Sequence, residues 1–195
     1  MRFTELTKIK KLYFTPDDVA EKLGISRDSA HVTCSRYVDS GVLLRLKRNF
    51  YAIHERWNHL SGENAFLVAN ILEVPSYISL TTAMSFYEMT TQILRDFYES
   101  ISIKRTKEIL VGDKTFTFTK VKKELYGDFE RKNGYFIATK EKALLDAIYL
   151  MSLKRYRLDL DAVDFSKVNK KKIEEKIKAY PPKVREIWRK HVGSV

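Results

Sequence analysis

The sequence predicts an α+β fold in two parts, and three observations carry that reading. Three short helical patterns with strong start signals fill residues 3–39. A basic hairpin pattern over 42–53 follows them directly. Beyond residue 57, strand-like and helix-like segments interleave with no internal repeat, and with glycine at 7 and proline at 4 no long flexible linker is expected. The expected domains are residues 1–56 and residues 57–195, the second built on a small, mostly antiparallel sheet.

Taken in order, Phe3, Leu6 and Ile9, with Leu12 or Tyr13 beyond, fit one apolar face of a first helix. Thr15-Pro16-Asp17-Asp18 is a helix start: Thr15 caps, Pro16 suits the first helical position, and Asp18 stands three residues after the cap. Val19, Ala20 and Leu23 then face inward, and Gly24 breaks the helix because it tolerates a positive φ. Ser26 caps a third helix over Arg27 to Asp39, with Ala30, Cys34, Tyr37 and Val38 on one stripe and Gly41 at its end. Val42 to Leu46 reads as a strand, Lys47-Arg48-Asn49 as a turn and Phe50 to Ile53 as the return strand. Asn49 is one of the few residues other than glycine that accept a left-handed turn position. Three helices followed by a hairpin is the layout of a winged helix-turn-helix.

The second part begins with a helix capped by Ser61 and running to Leu72, with Ala65, Val68, Ala69 and Leu72 inward and Pro75 beyond its end. Ser79 caps another helix reaching about Tyr87. Glu99 to Lys104 alternates as a half-buried strand around Ile101 and Ile103. Ile109 to Val111 and Thr115 to Val121 form a hairpin about Gly112-Asp113, and Asn133-Gly134 turns into a strand over Tyr135 to Ala138. Thr139 caps a helix bearing Ala143, Leu144, Ala147, Ile148 and Met151. Two more helices fit near 169–179 and 183–191, separated by Pro181-Pro182.

Composition narrows the function. Hydrophobic residues at 44% exclude disorder, and no apolar run approaches the roughly 18 residues of a membrane span. The first seven residues hold no continuous apolar stretch and are not read as a secretory signal, so a cytoplasmic protein with no membrane partner is expected. A single cysteine, Cys34, excludes an intramolecular disulfide framework, and its place on the apolar stripe makes it a packing residue. The net charge of +11 points to a polyanionic or acidic partner, and it is patterned: +4 over residues 1–56, −4 over 57–103, +4 over 104–135 and +7 over 136–195.

The chemistry-bearing residues favour DNA. In a helix-turn-helix the second helix of the pair enters the major groove. With Ala30 and Cys34 inward, the opposite face presents Ser29, Val32, Ser35 and Arg36, with Ser26, Arg27 and His31 at its start and flanks. Serine and arginine bond base edges or phosphates, and Val32 suits a thymine methyl. Arg45, Lys47 and Arg48 crowd the hairpin tip beside Asn49, where like charges repel unless a polyanion neutralises them. Lys104, Arg105 and Lys107, and the helix carrying Lys170, Lys171 and Lys172, form a candidate second basic surface. That helix has Ile173, Ile177 and Tyr180 as its apolar stripe and an i,i+4 pair of Glu174 with Lys178.

Signs of an enzyme are weak. His31, His54, His59 and His191 lack metal spacing, and no glycine-rich phosphate loop or serine elbow is present, so neither cofactor nor metal is expected. Asp159 and Asp161 would share one side of a strand, with Asp164 nearby, but read better as a polar loop. A nucleic-acid-processing or RNA-binding second domain stays open as the alternative.

Four stretches resemble the AbiEi family of antitoxins, the regulators of abortive-infection toxin–antitoxin operons in bacteria. Val42 to Ile53 is similar to the family's wing, with Asn49 where many relatives have glycine. Ala69-Asn70 with Pro75 to Ala83, Ile101 to Arg105, and Ile137 to Asp146 are similar to its second domain, the last most specifically; the resemblance spans 13–151. It implies an N-terminal winged helix that binds and represses the operon's own promoter, at a repeat operator in double-stranded DNA. It also implies a C-terminal antitoxin domain that counters a nucleotidyltransferase-like toxin, by a type IV mode that needs no stable complex but leaves direct contact open. Ile137 to Asp146 itself reads as a helix start and core face, marking fold more than chemistry.

Overall fold

The computed structural model describes residues 3–60 and 62–192, and of Phe3 and Val192 only the backbone. The expected cap Ser61 lies outside the described residues, as does the side chain of Phe3. The chain divides into two compact units, residues 1–68 with 110–113, and residues 69–109 with 114–195.

In the first unit, α1 (Phe3–Leu6), α2 (Pro16–Leu23) and α3 (Arg27–Asp39) precede β1 (Leu43–Lys47), β2 (Phe50–Ile53) and α4 (His54–Trp57). The start of α2 is a complete capping box: Thr15 Oγ1 accepts from the Asp18 amide, and the Asp18 carboxylate accepts from the Thr15 amide at 2.7 Å. Gly24 ends it at φ +62°, a left-handed geometry a Cβ would oppose. Ser26 caps α3 through the Ser29 amide. Phe14 exchanges two hydrogen bonds of 2.9 Å with Tyr51, adding a bridge to the hairpin. Leu6, Ile9, Phe14, Val19, Ala30, Cys34, Leu43, Tyr51 and Ile53 make the core, with Ala20, Leu23, Tyr37 and Val38 packed part-buried against it. One expectation changes here. The first helix stops at Leu6, where the Lys8 and Ile9 amides turn to carbonyls three residues back, so Ile9 enters the core from a turn.

Next come α5 (Gly62–Leu72), β3 (Ser76–Ile78), α6 (Leu80–Phe86), β4 (Phe97–Ser102), β5 (Lys107–Val111), β6 (Lys114–Lys120), β7 (Phe129–Lys132) and β8 (Tyr135–Ala138). The chain ends with α7 (Lys140–Ser152), α8 (Lys170–Lys176) and α9 (Pro182–Val192). One six-stranded sheet runs β5-β6-β4-β3-β8-β7. Its β3/β4 and β7/β8 pairs are antiparallel, whereas β3/β8 and β4/β6 are parallel, making it a mixed sheet. β4 is not half-buried: Tyr98 to Ser102 are all buried, and Ile103 lies past its end. Being a central strand, it loses the alternation that an outer strand keeps. β3 and β7 carry no periodic signal, one being three residues long and the other an edge strand of Phe-Glu-Arg-Lys.

α7 is the axis of the second unit. Thr139 caps it as expected, and every residue from Glu141 to Leu150 is buried, because α6, α8, α9 and β8 all touch it. Two of those buried residues are charged. Lys142 Nζ donates to Asp146 at 2.6 Å, to the Leu125 carbonyl at 2.5 Å and to Tyr180 Oη at 2.9 Å. Asp146 also accepts from Tyr77 and Ser79 at 3.0 and 2.9 Å. Ser79 therefore stands at the start of α6, but its hydroxyl serves Asp146 rather than a helix amide. Burial pushes the Asp146 carboxyl upward against the pull of Lys142, Ser79 and Tyr77. A second node centres on Glu99, which accepts from Tyr156 Oη at 3.0 Å and the Thr82 amide at 3.3 Å. Burial raises that carboxyl to about 7, against the pull of its hydrogen bonds to Tyr156, Thr82 and Thr81. Leu80 lies between Ser79 and Thr81, the attachment points of the two nodes, and is held at φ +56°, a strained position for a leucine.

At the C-terminal end, Ile173, Ile177 and Tyr180 are buried as expected. The α-helix stops at Lys176 in favour of a 3-10 turn, and Pro182 begins α9 instead of separating two helices. Glu174 accepts from Trp188 Nε1 at 2.5 Å, so its partner is an indole from α9.

Candidate nucleic-acid interface

The interface is built by two local decisions of the chain. Ala30 and Cys34, both fully buried, pin one side of α3 to the core and turn the other outward. Ser29, Val32 and Arg36 are exposed, Val32 at 51% despite being apolar, while Ser35 and His31 are half-buried. Arg27 is exposed at the start of the helix. Ser26 and Ser29 are tied to each other: Ser26 Oγ accepts the Ser29 amide and donates to Ser29 Oγ at 2.9 Å. Ser26 thus acts as a cap, which leaves Ser35 the less committed hydroxyl of the expected reading face.

The second decision is in the wing. The β1/β2 register pairs Arg45 with Tyr51 and then Lys47 with Phe50, skipping Leu46. This bulge turns Leu46 into the core, while Arg45, opposite Tyr51, stays exposed. Asn49 holds φ +63°, the left-handed turn expected of it, and Arg48 is exposed beside it. The Arg45 guanidinium lies 5.8 Å from the Tyr51 ring centre, and Lys47 Nζ lies 4.5 Å from that of Phe50.

An open hollow of roughly 630 Å³ joins the two parts, lined by Arg27, His31, Arg45, Arg48, Asn49 and Tyr51. Five of these were expected, and no carboxylate is among them. Ser26, Ser29, Val32, Ser35, Arg36 and Lys47 are not among its lining. Sequence reasoning missed Tyr51, which had passed as a strand residue; its pairing opposite Arg45 was the signal. It also missed Asp17, whose Oδ1 lies 2.9 Å from Arg27 Nε.

Other candidates resolve differently. Cys34 is buried and its thiol is raised to about 11 by burial, consistent with packing. His54 Nδ1 lies 2.8 Å from the Gly41 carbonyl oxygen. Lys104 and Lys107 both close on Glu73; burial raises that carboxyl, yet the two lysines outweigh it and hold it below the ordinary range. Arg105 and the α8 residues Lys170, Lys171 and Lys172 are exposed, on elements distant in sequence. Asp159 caps a 3-10 turn at Leu160–Ala162 through the Asp161 amide at 3.1 Å, so the pair lies in a capped loop and not on a strand. Among the described residues no group of three or more His, Cys, Asp or Glu is placed to hold a metal, and no helix is long and apolar enough to cross a membrane.

A helix-turn-helix with a basic wing defines a class of DNA-reading module. The comparison with family models points the same way: residues 4–54 match that of the AbiEi antitoxin transcriptional regulators. The matched stretch runs from α1 to the start of α4 and supports an antitoxin or transcriptional-regulator role. No curated protein and no solved structure matches the chain.

Proposed function

We propose that this chain is the antitoxin and DNA-binding autorepressor of a bacterial toxin–antitoxin operon. Residues 1–56 bind a repeat operator in the operon's promoter, and residues 57–195 counter a nucleotidyltransferase-like toxin in the cytoplasm, in the type IV manner. The observation that carries the DNA half is the acid-free hollow in which the recognition helix and the wing tip converge. Phosphates seat against Arg27, Arg45 and Arg48, while Ser29, Val32, Ser35 and Arg36 face the base edges. The family match over residues 4–54 supports an antitoxin or transcriptional-regulator role in outline.

The test is fluorescence anisotropy of the full chain on its own promoter against an unrelated duplex, across a salt series. Each neutralised phosphate adds about −0.9 to the log–log salt slope. Arg48→Ala weakens all sequences alike and flattens the slope by roughly 1, whereas Arg36→Ala costs roughly 1–3 kcal/mol and relaxes sequence preference. Unchanged promoter binding by a triple Arg45, Lys47, Arg48 alanine variant would overturn the wing assignment. For the antitoxin half, the chain is co-expressed with a nucleotidyltransferase-like toxin. Failure to restore growth counts against that half alone.

A further inference from the structure

Arg27 belongs both to an ion pair and to the hollow. Its Nε lies 2.9 Å from Asp17 Oδ1, with both side chains about two-thirds exposed, at 65% and 63%. The same arginine lines the hollow with His31, Arg45 and Arg48. Asp17 is not the residue that caps α2. Thr15 and Asp18 close that box, and Asp18 also takes Lys11. What remains for Asp17 is its charge in the first helical turn and its hold on Arg27.

We propose that Asp17 is the resident counter-ion of the phosphate seat: it holds Arg27 in the free protein and is displaced by a DNA phosphate. Three physical points lead there. An exposed ion pair is weak, typically worth 0.2–1 kcal/mol, so a phosphate can take the guanidinium from it. A phosphate that reaches Arg27 also approaches the Asp17 carboxylate, and that like-charge encounter lowers the net attraction. Both effects act on the backbone and are blind to sequence. Asp17 therefore subtracts from indiscriminate binding, leaving the chain more dependent on the base contacts of Ser29, Val32, Ser35 and Arg36. The inference rests on the reading that α3 and the wing bind DNA. The competing role for Asp17, holding Arg27 in the posture that grips phosphate, predicts the opposite sign.

The experiment is anisotropy of the full chain with Asp17→Asn, Arg27→Ala and the double variant, on promoter and unrelated duplexes at low and high salt. Asp17→Asn is expected to tighten both duplexes by about two- to tenfold at low salt, with the gain shrinking as salt screens it. In the Arg27→Ala background the gain is smaller, because only the like-charge repulsion is left to remove. A double-mutant cycle reads that difference directly. If the wild type binds promoter DNA and Asp17→Asn weakens or leaves that binding unchanged, the counter-ion role is wrong and the DNA reading survives. If the wild type binds neither duplex, both fall together. Matching circular dichroism melts of Asp17→Asn and wild type separate a change in binding from a loosened α2.

Discussion

Replacing Lys142 by methionine removes one charge and three hydrogen bonds from a side chain that is 1% exposed. Methionine keeps most of the stem's volume, so packing changes little and the electrostatic loss dominates. Asp146, 0% exposed, keeps Tyr77 and Ser79 as donors but loses the cation 2.6 Å away. The Leu125 carbonyl and Tyr180 hydroxyl each lose the donor Lys142 supplied. Breaking one partner of a buried pair costs about 3–5 kcal/mol, a large share of the roughly 5–15 kcal/mol that holds a domain folded. The assay is urea unfolding read by tryptophan fluorescence. Trp57 and Trp188 lie in different units, so a Trp57→Phe background assigns the signal to Trp188 and the second unit. At a slope of about 1–3 kcal/mol per molar urea, the midpoint falls by roughly 1–5 M. The double variant Lys142→Met/Asp146→Asn should lose less than the sum of the two singles, because no unpaired charge is left buried. A cost below about 1 kcal/mol for Lys142→Met, or strict additivity in the double variant, would refute a buried ion pair at the centre of this unit.

Three further outcomes follow from the same geometry. Glu99 is raised to about 7 from 4.5, so the folded state keeps a proton the unfolded chain has released, and stability falls as pH rises through that window by about 3 kcal/mol. Glu99→Gln should therefore be more stable than wild type at pH 8 and no more stable at pH 4; parallel stability curves would exclude this. Thr15→Ala breaks the capping box of α2 and should cost about 1 kcal/mol in chemical denaturation of the first unit. Cys34 should react with a thiol reagent at pH 8 only as fast as the first unit opens, since its thiol is buried and raised to about 11. Rapid labelling of the native chain would place it at the surface.

The first unit was legible almost residue by residue. Thr15, Pro16, Gly24, Ser26 and Asn49 act through bonds and dihedrals spanning three or four neighbours, and such signals are written in sequence order. The outward face of α3 was legible for the same reason, because a helix repeats its faces at a fixed spacing. The hollow was less so. Arg27 and Arg45 are 18 positions apart, and the β1 bulge that turns Leu46 inward leaves only a skipped leucine as its trace. In the second unit the helix starts were readable, but the parallel pairs β3/β8 and β4/β6 join strands far apart in the chain with no turn to announce them.

Local chemistry therefore settled where the helices of this chain begin, which side of α3 faces outward, and where the wing bends. Folding settled which charges are shared. Lys142 and Asp146 sit four apart on α7, a spacing that on most helices marks a solvated ion pair, and the sequence pattern alone cannot distinguish that from a buried one. Their surroundings come from β3, the 3-10 turn at Leu125 and Tyr180, which reach them only when the unit closes. Asp17 and Arg27 follow the same rule at the surface. Each is an ordinary acid or base in its own helix, and their pairing exists because α2 and α3 pack against each other. Charge is a property of the residue, but its partner is set by distances through space that sequence spacing does not encode.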